Sequence, residues 1–281
     1  ISDLKIIIYT CISGEYDSLI EPTVTDPRYE FVCFNDGERQ DSDIWEIRPL
    51  IKNFNSNKKN NRYHKMHPHI LFPNNQYSVY IDGNIGLKGN HLFKRAQELI
   101  TNQTLLSVAK HPYRDCVYDE AEECLRLNNS DTIQILNQVI FLKNEDYPQS
   151  NGLIEANIIF REHHNPELID LMNSWWSIFC KFPTRDQLVF NYILWEKAFF
   201  DLEYFFDQDD NQLRKSSDYI FGLHNYEKLA LDISEKVNRG IINRIFNRLN
   251  RYRGNFFIFI NRFAKNPLYQ FFIKQIFKIK Y

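Results

Sequence analysis

The chain predicts an α/β fold: a mostly parallel sheet flanked by helices. Two observations carry this. Short runs of β-branched and aromatic residues, "LKIIIYTC" from Leu4 to Cys11 and "YEFVCF" from Tyr29 to Phe34, are bounded by Gly, Pro and Asp as strands are. Stretches with helical spacing separate the later runs of this kind, and such alternation implies crossover connections and parallel pairing. At 281 residues, with 15% aromatics and only 9 Gly and 10 Pro, the chain is long and apolar enough to bury a core, and neither a disordered nor a low-complexity reading fits.

After the first two strands, Ile44 to Arg48 reads as a third. "KNFNSNKKNNR", Lys52 to Arg62, reads as a polar loop, with a helix from about Asn61 to Phe72. "YSVYIDGNI" is a strand from Tyr77 that stops at Asp82. His91 to Ile100 is helical, Leu105 to Ala109 strand-like, and Tyr118 to Leu127 helical with its acids in the first turn, where the helix dipole favours them. Ile154 to Phe160 is a further strand, and Pro166 to Cys180 and Thr184 to Lys197 are helices. Thr184 followed by Gln187 matches a capping box, which places a helix start at Thr184. No internal repeat is visible.

The net charge of −2 conceals a segregation. From Lys236 to Tyr281 there are eleven Lys and Arg and no Asp or Glu, so the preceding residues carry the acidic excess. In that tail Ile241, Ile242, Ile245, Phe246 and Leu249 share a helix face, with Arg244, Arg248 and Arg251 elsewhere around it. A basic amphipathic helix of this kind fits an anionic membrane surface, and the expected division is a domain over 1–230 and a tail over 231–281. The five cysteines form no C-x-x-C pair, which argues against a disulfide framework or zinc site and for a reducing compartment. No signal-peptide pattern opens the chain, and a start at Ile1 leaves the true N-terminus open. The expected location is cytoplasmic, peripheral at the inner face of the membrane, with no nucleic-acid partner.

Asp82-Gly83-Asn84 has two readings: a hairpin turn, or a carboxylate at the C-terminal end of a buried strand, where α/β sheets place ligands. Arg62 and Lys65, three apart on one helix face, fit either a diphosphate or a solvated surface. His64, His67 and His69 match no zinc spacing and read as structural. His111, Arg114 and Asp115 follow a strand, where binding loops belong, and Asp186 falls in the first turn of a helix as an exposed carboxylate.

Taken in order, "YTCISGEYDSLIEP", "YEFVCFND", "WEIRPL", "RYHKMHPHILFP", "YSVYIDGNI", "KHPYRDCVYDEA" and "TRDQLVFNYILW" resemble a glycosyltransferase-like domain family, formerly a domain of unknown function, known from plant mucilage-related proteins and bacterial polysaccharide loci. The resemblance spans roughly residues 4 to 225 and implies a GT-A-like fold with a nucleotide-sugar donor and a glycan or lipid-linked glycan acceptor. It implies Asp82 and Asn84 at the place of the usual Asp-x-Asp motif, with His224 completing a Mn²⁺ or Mg²⁺ site; the amide of Asn84 is a weaker ligand than the carboxylate it replaces. Thr10, Tyr16, Asp36, Arg62 and Lys65 are then donor-binding, and His111 and Arg114 acceptor-binding. Asp186 and Gln187 look like the acid-amide pair at the donor sugar, with Glu155 a second catalytic candidate. The implied activity is a hexosyltransferase acting in cell-surface polysaccharide synthesis. Two rivals stand beside it: a metal-dependent lipid-amide hydrolase, and a non-catalytic glycan- or lipid-binding module.

Overall fold

The computed structural model describes residues 5–37, 41–127, 131–206, 212–225 and 227–228. The tail expected over 231–281 lies outside the described residues. The chain runs β1 (Ile6–Ile12), β2 (Tyr29–Asn35), β3 (Glu46–Pro49), α1 (Asn57–Met66), α2 (Pro68–Leu71), β4 (Tyr77–Ile81), β5 (Ile85–Leu87), α3 (His91–Thr101) and β6 (Leu106–Lys110). It continues through α4 (Val117–Leu127), α5 (Thr132–Asn144), β7 (Ile154–Glu162), α6 (Pro166–Lys181), α7 (Gln187–Glu196), β8 (Leu202–Tyr204), α8 (Gln212–Lys215) and β9 (Tyr219–Phe221).

Seven strands form one sheet in the order β3-β2-β1-β4-β7-β6-β8, and β5 pairs with β9 in a separate ribbon. The pairs β1·β2, β1·β4, β2·β3 and β6·β8 are parallel, whereas β7 runs antiparallel to both β4 and β6. The α/β expectation therefore holds, with one reversed strand in the middle. Alternation along β1 explains the two cores. Ile7, Tyr9 and Cys11 join Phe34, Tyr80, Trp175 and Phe190 on one face, while Ile6, Ile8 and Ile12 join Cys33, Ile81, Phe93 and Leu99 on the other.

Several local expectations need correction. The helix read from Asn61 to Phe72 begins at Asn57, inside the supposed polar loop, because the Ser56 hydroxyl accepts from the Lys59 amide and caps it. It ends at Met66, and Pro68 opens a second, short helix, as a residue without an amide donor should. The capping box does not form. Thr184 turns its hydroxyl to Gln138 Oε1, 2.6 Å away, and α7 starts only at Gln187.

Arg161 is wholly buried in β7. Its guanidinium donates to the Lys65 carbonyl (2.7 Å) and the Tyr9 hydroxyl (2.6 Å), placing a cation at the C-terminal end of α1, where the helix dipole welcomes one. This contact fixes the backbone from which Lys65 projects.

Burial pushes the imidazoles of His67 and His69 down to about 4 and that of His163 to about 3, with positive charge on Arg161 adding to the effect. Their folded values lie below the unfolded 6.5, so the unfolded chain takes up more protons as pH falls, and stability present above pH 6.5 is lost on the way to pH 4. His67 alone should cost about 3 kcal/mol at pH 4. Urea unfolding at pH 7, 5.5 and 4.5 should show the midpoint falling steadily, and His67→Gln should flatten that fall.

Candidate active site

The parallel strands β1, β2 and β4 end on one edge, and the segment after β4 is both a turn and part of the site. The Ile85 amide donates to the Asp82 carbonyl at 2.9 Å, closing a four-residue turn. Yet β5 pairs with β9 and not with β4, so no hairpin forms. Gly83 is required by close approach: a Cβ there would meet Ile12 Cγ1 at 2.9 Å and Asp17 Oδ2 at 3.1 Å. The first loop thus packs directly on the Asp82 turn.

Asp82 lies against α1 and the loop before α7. Lys65, whose side chain is 2% exposed, contacts Asp82 Oδ1 at 3.5 Å and Asp186 Oδ2 at 2.8 Å, and Arg62 Nε contacts Asp186 Oδ1 at 3.0 Å. The two cations read as diphosphate ligands or a solvated face are therefore held first by carboxylates of the protein. Asp186 is buried, a correction to the exposed residue expected, and Trp175 Nε1 anchors its carbonyl at 2.9 Å.

The two carboxyls are driven apart. Burial opposes ionisation of Asp186 most strongly, but Arg62 and Lys65 outweigh it and hold that carboxyl below its usual range. Burial raises Asp82, and its cationic neighbours do not fully compensate. Arg62 itself is raised, because Asp186 and Asp82 overcome its burial. Across the sheet Asn157 stands opposite Asp82; its carbonyl accepts the Asp82 amide at 2.9 Å, and its side-chain Oδ1 is buried without a partner.

His224 Nδ1 pairs with Asp17 Oδ1 at 2.6 Å, and the Tyr16 ring tilts over the imidazole with centroids 4.7 Å apart. Burial opposes its protonation, but Asp17 outweighs this and raises the imidazole overall. Asn84 Nδ2 donates to the Gly222 carbonyl at 3.4 Å, tying the turn to the segment that carries His224. Asp36, at the end of β2, accepts from the Ser13 hydroxyl (2.5 Å) and the Gly14 amide (2.7 Å), shaping the first loop. Thr10 is enclosed in β1, its hydroxyl without a partner, so the structure does not bring it to the opening.

Beyond Asp186 lies a second group. Gln187 Nε2 donates to Glu120 Oε1 at 2.8 Å, Arg114 Nε donates to Glu120 Oε2 at 2.6 Å, and His111 Nε2 is 3.5 Å from the same oxygen. Glu155 lies near His111 but is held by other partners. Arg214 grips its two oxygens at 2.7 and 2.8 Å, and Asn157 Nδ2 donates to it at 2.9 Å, so its charge is already neutralised.

Asp82, Asn84 and His224 are the residues that would hold a divalent cation. Asp82 Oδ1 is 3.5 Å from Lys65, whereas Asn84 uses Nδ2 towards Gly222 and His224 uses Nδ1 towards Asp17, not the Asn84 Oδ1 and His224 Nε2 through which these side chains would bind a metal. Among the described residues no three His, Cys, Asp or Glu side chains gather into a group that could hold a metal ion. With one carboxylate, one amide and one imidazole in the set, calorimetric titration of Mn²⁺ should show weak binding to the protein alone and tighter binding in the presence of a nucleoside diphosphate.

Sequence reasoning missed Asp17, Glu120 and Asn157. Asp17 stands in the "GEYDS" motif and had a signal in its neighbour Tyr16, whereas Glu120 was masked by acids that suit any helix start.

Residues 1–219 match the family described as TOD1/MUCI70, glycosyltransferase-like domain. Over 159 residues the chain is 27% identical to the probable hexosyltransferase MUCI70 of Arabidopsis thaliana, a match covering 53% of this chain and 27% of that protein. The chain thus spans about a quarter of that relative's length. Among solved structures it is similar to mouse xyloside xylosyltransferase 1 (TM-score 0.40, 10% identity, 71% of this chain and 84% of that one). It is also similar to the mannosyltransferase Ktr4p of S. cerevisiae (TM-score 0.36, 15% identity, 63% and 60%).

Proposed function

Because the chain belongs to the TOD1/MUCI70 glycosyltransferase-like domain family, we propose that it transfers a hexose from a nucleotide-sugar to a glycan or lipid-linked glycan in cell-surface polysaccharide synthesis. The observation that carries the reading is the Arg62, Lys65, Asp82 and Asp186 cluster at the C-terminal edge of the parallel strands, with Gln187 beside it. In this reading the bond between the anomeric carbon and the phosphate oxygen breaks with its electron pair on the leaving diphosphate. The acceptor oxygen bonds to that carbon and passes its proton to an oxygen of the departing diphosphate. Positive charge develops on the sugar meanwhile, and a carboxylate kept ionised in a buried setting is suited to stabilise it. Asp186 has that property and is, for the same reason, a poor base. Arg62 and Lys65 keep it charged. Asp82, partly exposed beside them, faces the donor.

Incubation with a panel of UDP-, GDP- and CMP-linked sugars tests the proposal, with released nucleotide and thermal stabilisation both measured. Turnover of one donor supports it. Stabilisation without turnover would favour the binding module, and release of fatty acid from a lipid amide would favour the hydrolase.

No helix of the described residues is long and apolar enough to cross a membrane. We infer from composition that the tail beyond Lys236 meets anionic lipid at the inner membrane face. The full chain should co-sediment with phosphatidylserine vesicles at low salt and partly dissociate at high salt, whereas a chain ending at 235 should stay in solution. Indifference of the full chain to these vesicles would refute the assignment.

A further inference from the structure

Resting on the glycosyl-transfer reading, we propose that Glu120 is a positioning residue that fixes the amide of Gln187 with its carbonyl towards the sugar. Glu120 is 3% exposed, and every polar group against it donates: Gln187 Nε2 and the Cys124 thiol (3.7 Å) to Oε1, Arg114 Nε to Oε2, with the His111 ring nitrogen 3.5 Å from Oε2. The His111 tautomer follows from its other nitrogen. Nδ1 accepts the amides of Tyr113 (3.3 Å) and Arg114 (3.0 Å), so in the neutral ring the proton sits on Nε2, facing Glu120.

A carboxylate can only accept, so it selects the –NH₂ end of Gln187 and repels the carbonyl end. The amide is thereby prevented from flipping. Its Oε1 accepts from no group among the described residues, although the side chain is only 7% exposed. Asp186 and Gln187, adjacent in sequence, then both offer oxygen acceptors, a pair that suits a ligand rich in hydroxyl donors and positive charge developing on a sugar ring. An amide free to rotate would present N–H to the same place part of the time. Arg114 offsets the charge of Glu120, so the device adds no net anion to the site.

Two measurements test this. In side-chain amide NMR spectra of the wild-type protein, Gln187, assigned by its loss in Gln187→Ala, should exchange slowly with water and shift in Glu120→Gln, where the new amide can accept or donate. In donor turnover, Glu120→Gln should lower kcat by about tenfold or more with little change in KM, as misorientation of a contacting group does. In a Gln187→Ala background the same substitution should cost less than about threefold, because the two act as a unit. Glu120→Asp, which keeps the charge but shortens the reach, should match Glu120→Gln in kcat. Additive losses in the two backgrounds, or a rapidly exchanging Gln187 amide, would overturn the proposal. A folded protein that turns over no nucleotide-sugar would refute the glycosyl-transfer reading and the catalytic role with it, while the amide resonance separately decides whether Glu120 holds Gln187.

Discussion

Asp186→Ala is expected to abolish donor turnover and, unlike most active-site truncations, to cost about 3–5 kcal/mol of folding stability, the usual result of removing one partner from a buried ion pair. The reason is what it leaves behind. Lys65 is 2% exposed and, of its two carboxylate contacts, its ammonium would keep the longer one, 3.5 Å to Asp82, while Arg62 would lose its 3.0 Å contact with Asp186 altogether. Asp186→Asn should be nearly as damaging to stability, since the amide keeps the shape but not the charge. Adding Lys65→Met to Asp186→Ala should recover part of the loss, because the uncompensated cation goes with it. Urea unfolding midpoints of the three variants check the ordering, and an Asp186→Ala protein as stable as wild type would show that the cluster is not coupled.

Asp82→Asn should do the opposite to stability while also removing activity. Burial raises the Asp82 carboxyl, so at neutral pH its charge is disfavoured in the folded state relative to the unfolded one. A neutral amide relieves that cost. The variant should melt no lower than wild type at pH 7, and its advantage should shrink as pH falls and Asp82 itself becomes protonated. Donor turnover should drop by at least about a hundredfold, the scale seen when one electrostatic contact to a transition state is removed. Two carboxyls that share Lys65 would then divide their duties. One supports the cluster and the substrate together, and the other is retained for the substrate at the expense of the fold.

Much of this architecture is written locally. Apolar runs bounded by turn residues locate β1, β2 and β4 to within a few residues, and Asp82 at a strand end follows from the last of them. What is not local is less legible. The reversal of β7 between β4 and β6 leaves no mark in its own residues, since a buried strand reads alike in either direction. Helix α5 was missed because its pattern is mixed: Ile133, Leu136 and Ile140 face outward while Gln138 is buried, reversing the expected polarity. The Thr184 capping box failed for a related reason, as Gln138 from that same helix takes the hydroxyl. In the site, Asp186 was visible as a carboxylate but not as a buried one. Its partners come from α1, far away in sequence, and no spacing rule links them. Asp17 and His224 meet across almost the whole described chain, so only the folded structure pairs them.

In the proposed mechanism the first loop, α1, the Asp82 turn and the start of α7 make one donor site. Hydrogen exchange of the full chain, followed by mass spectrometry with and without the nucleotide-sugar that the donor panel identifies, tests this most directly. Protection is predicted together in peptides covering residues 10–17, 57–66, 80–86 and 184–191, and should vanish in Asp82→Asn. Donor-dependent protection confined to other segments, or unchanged in Asp82→Asn, would contradict it.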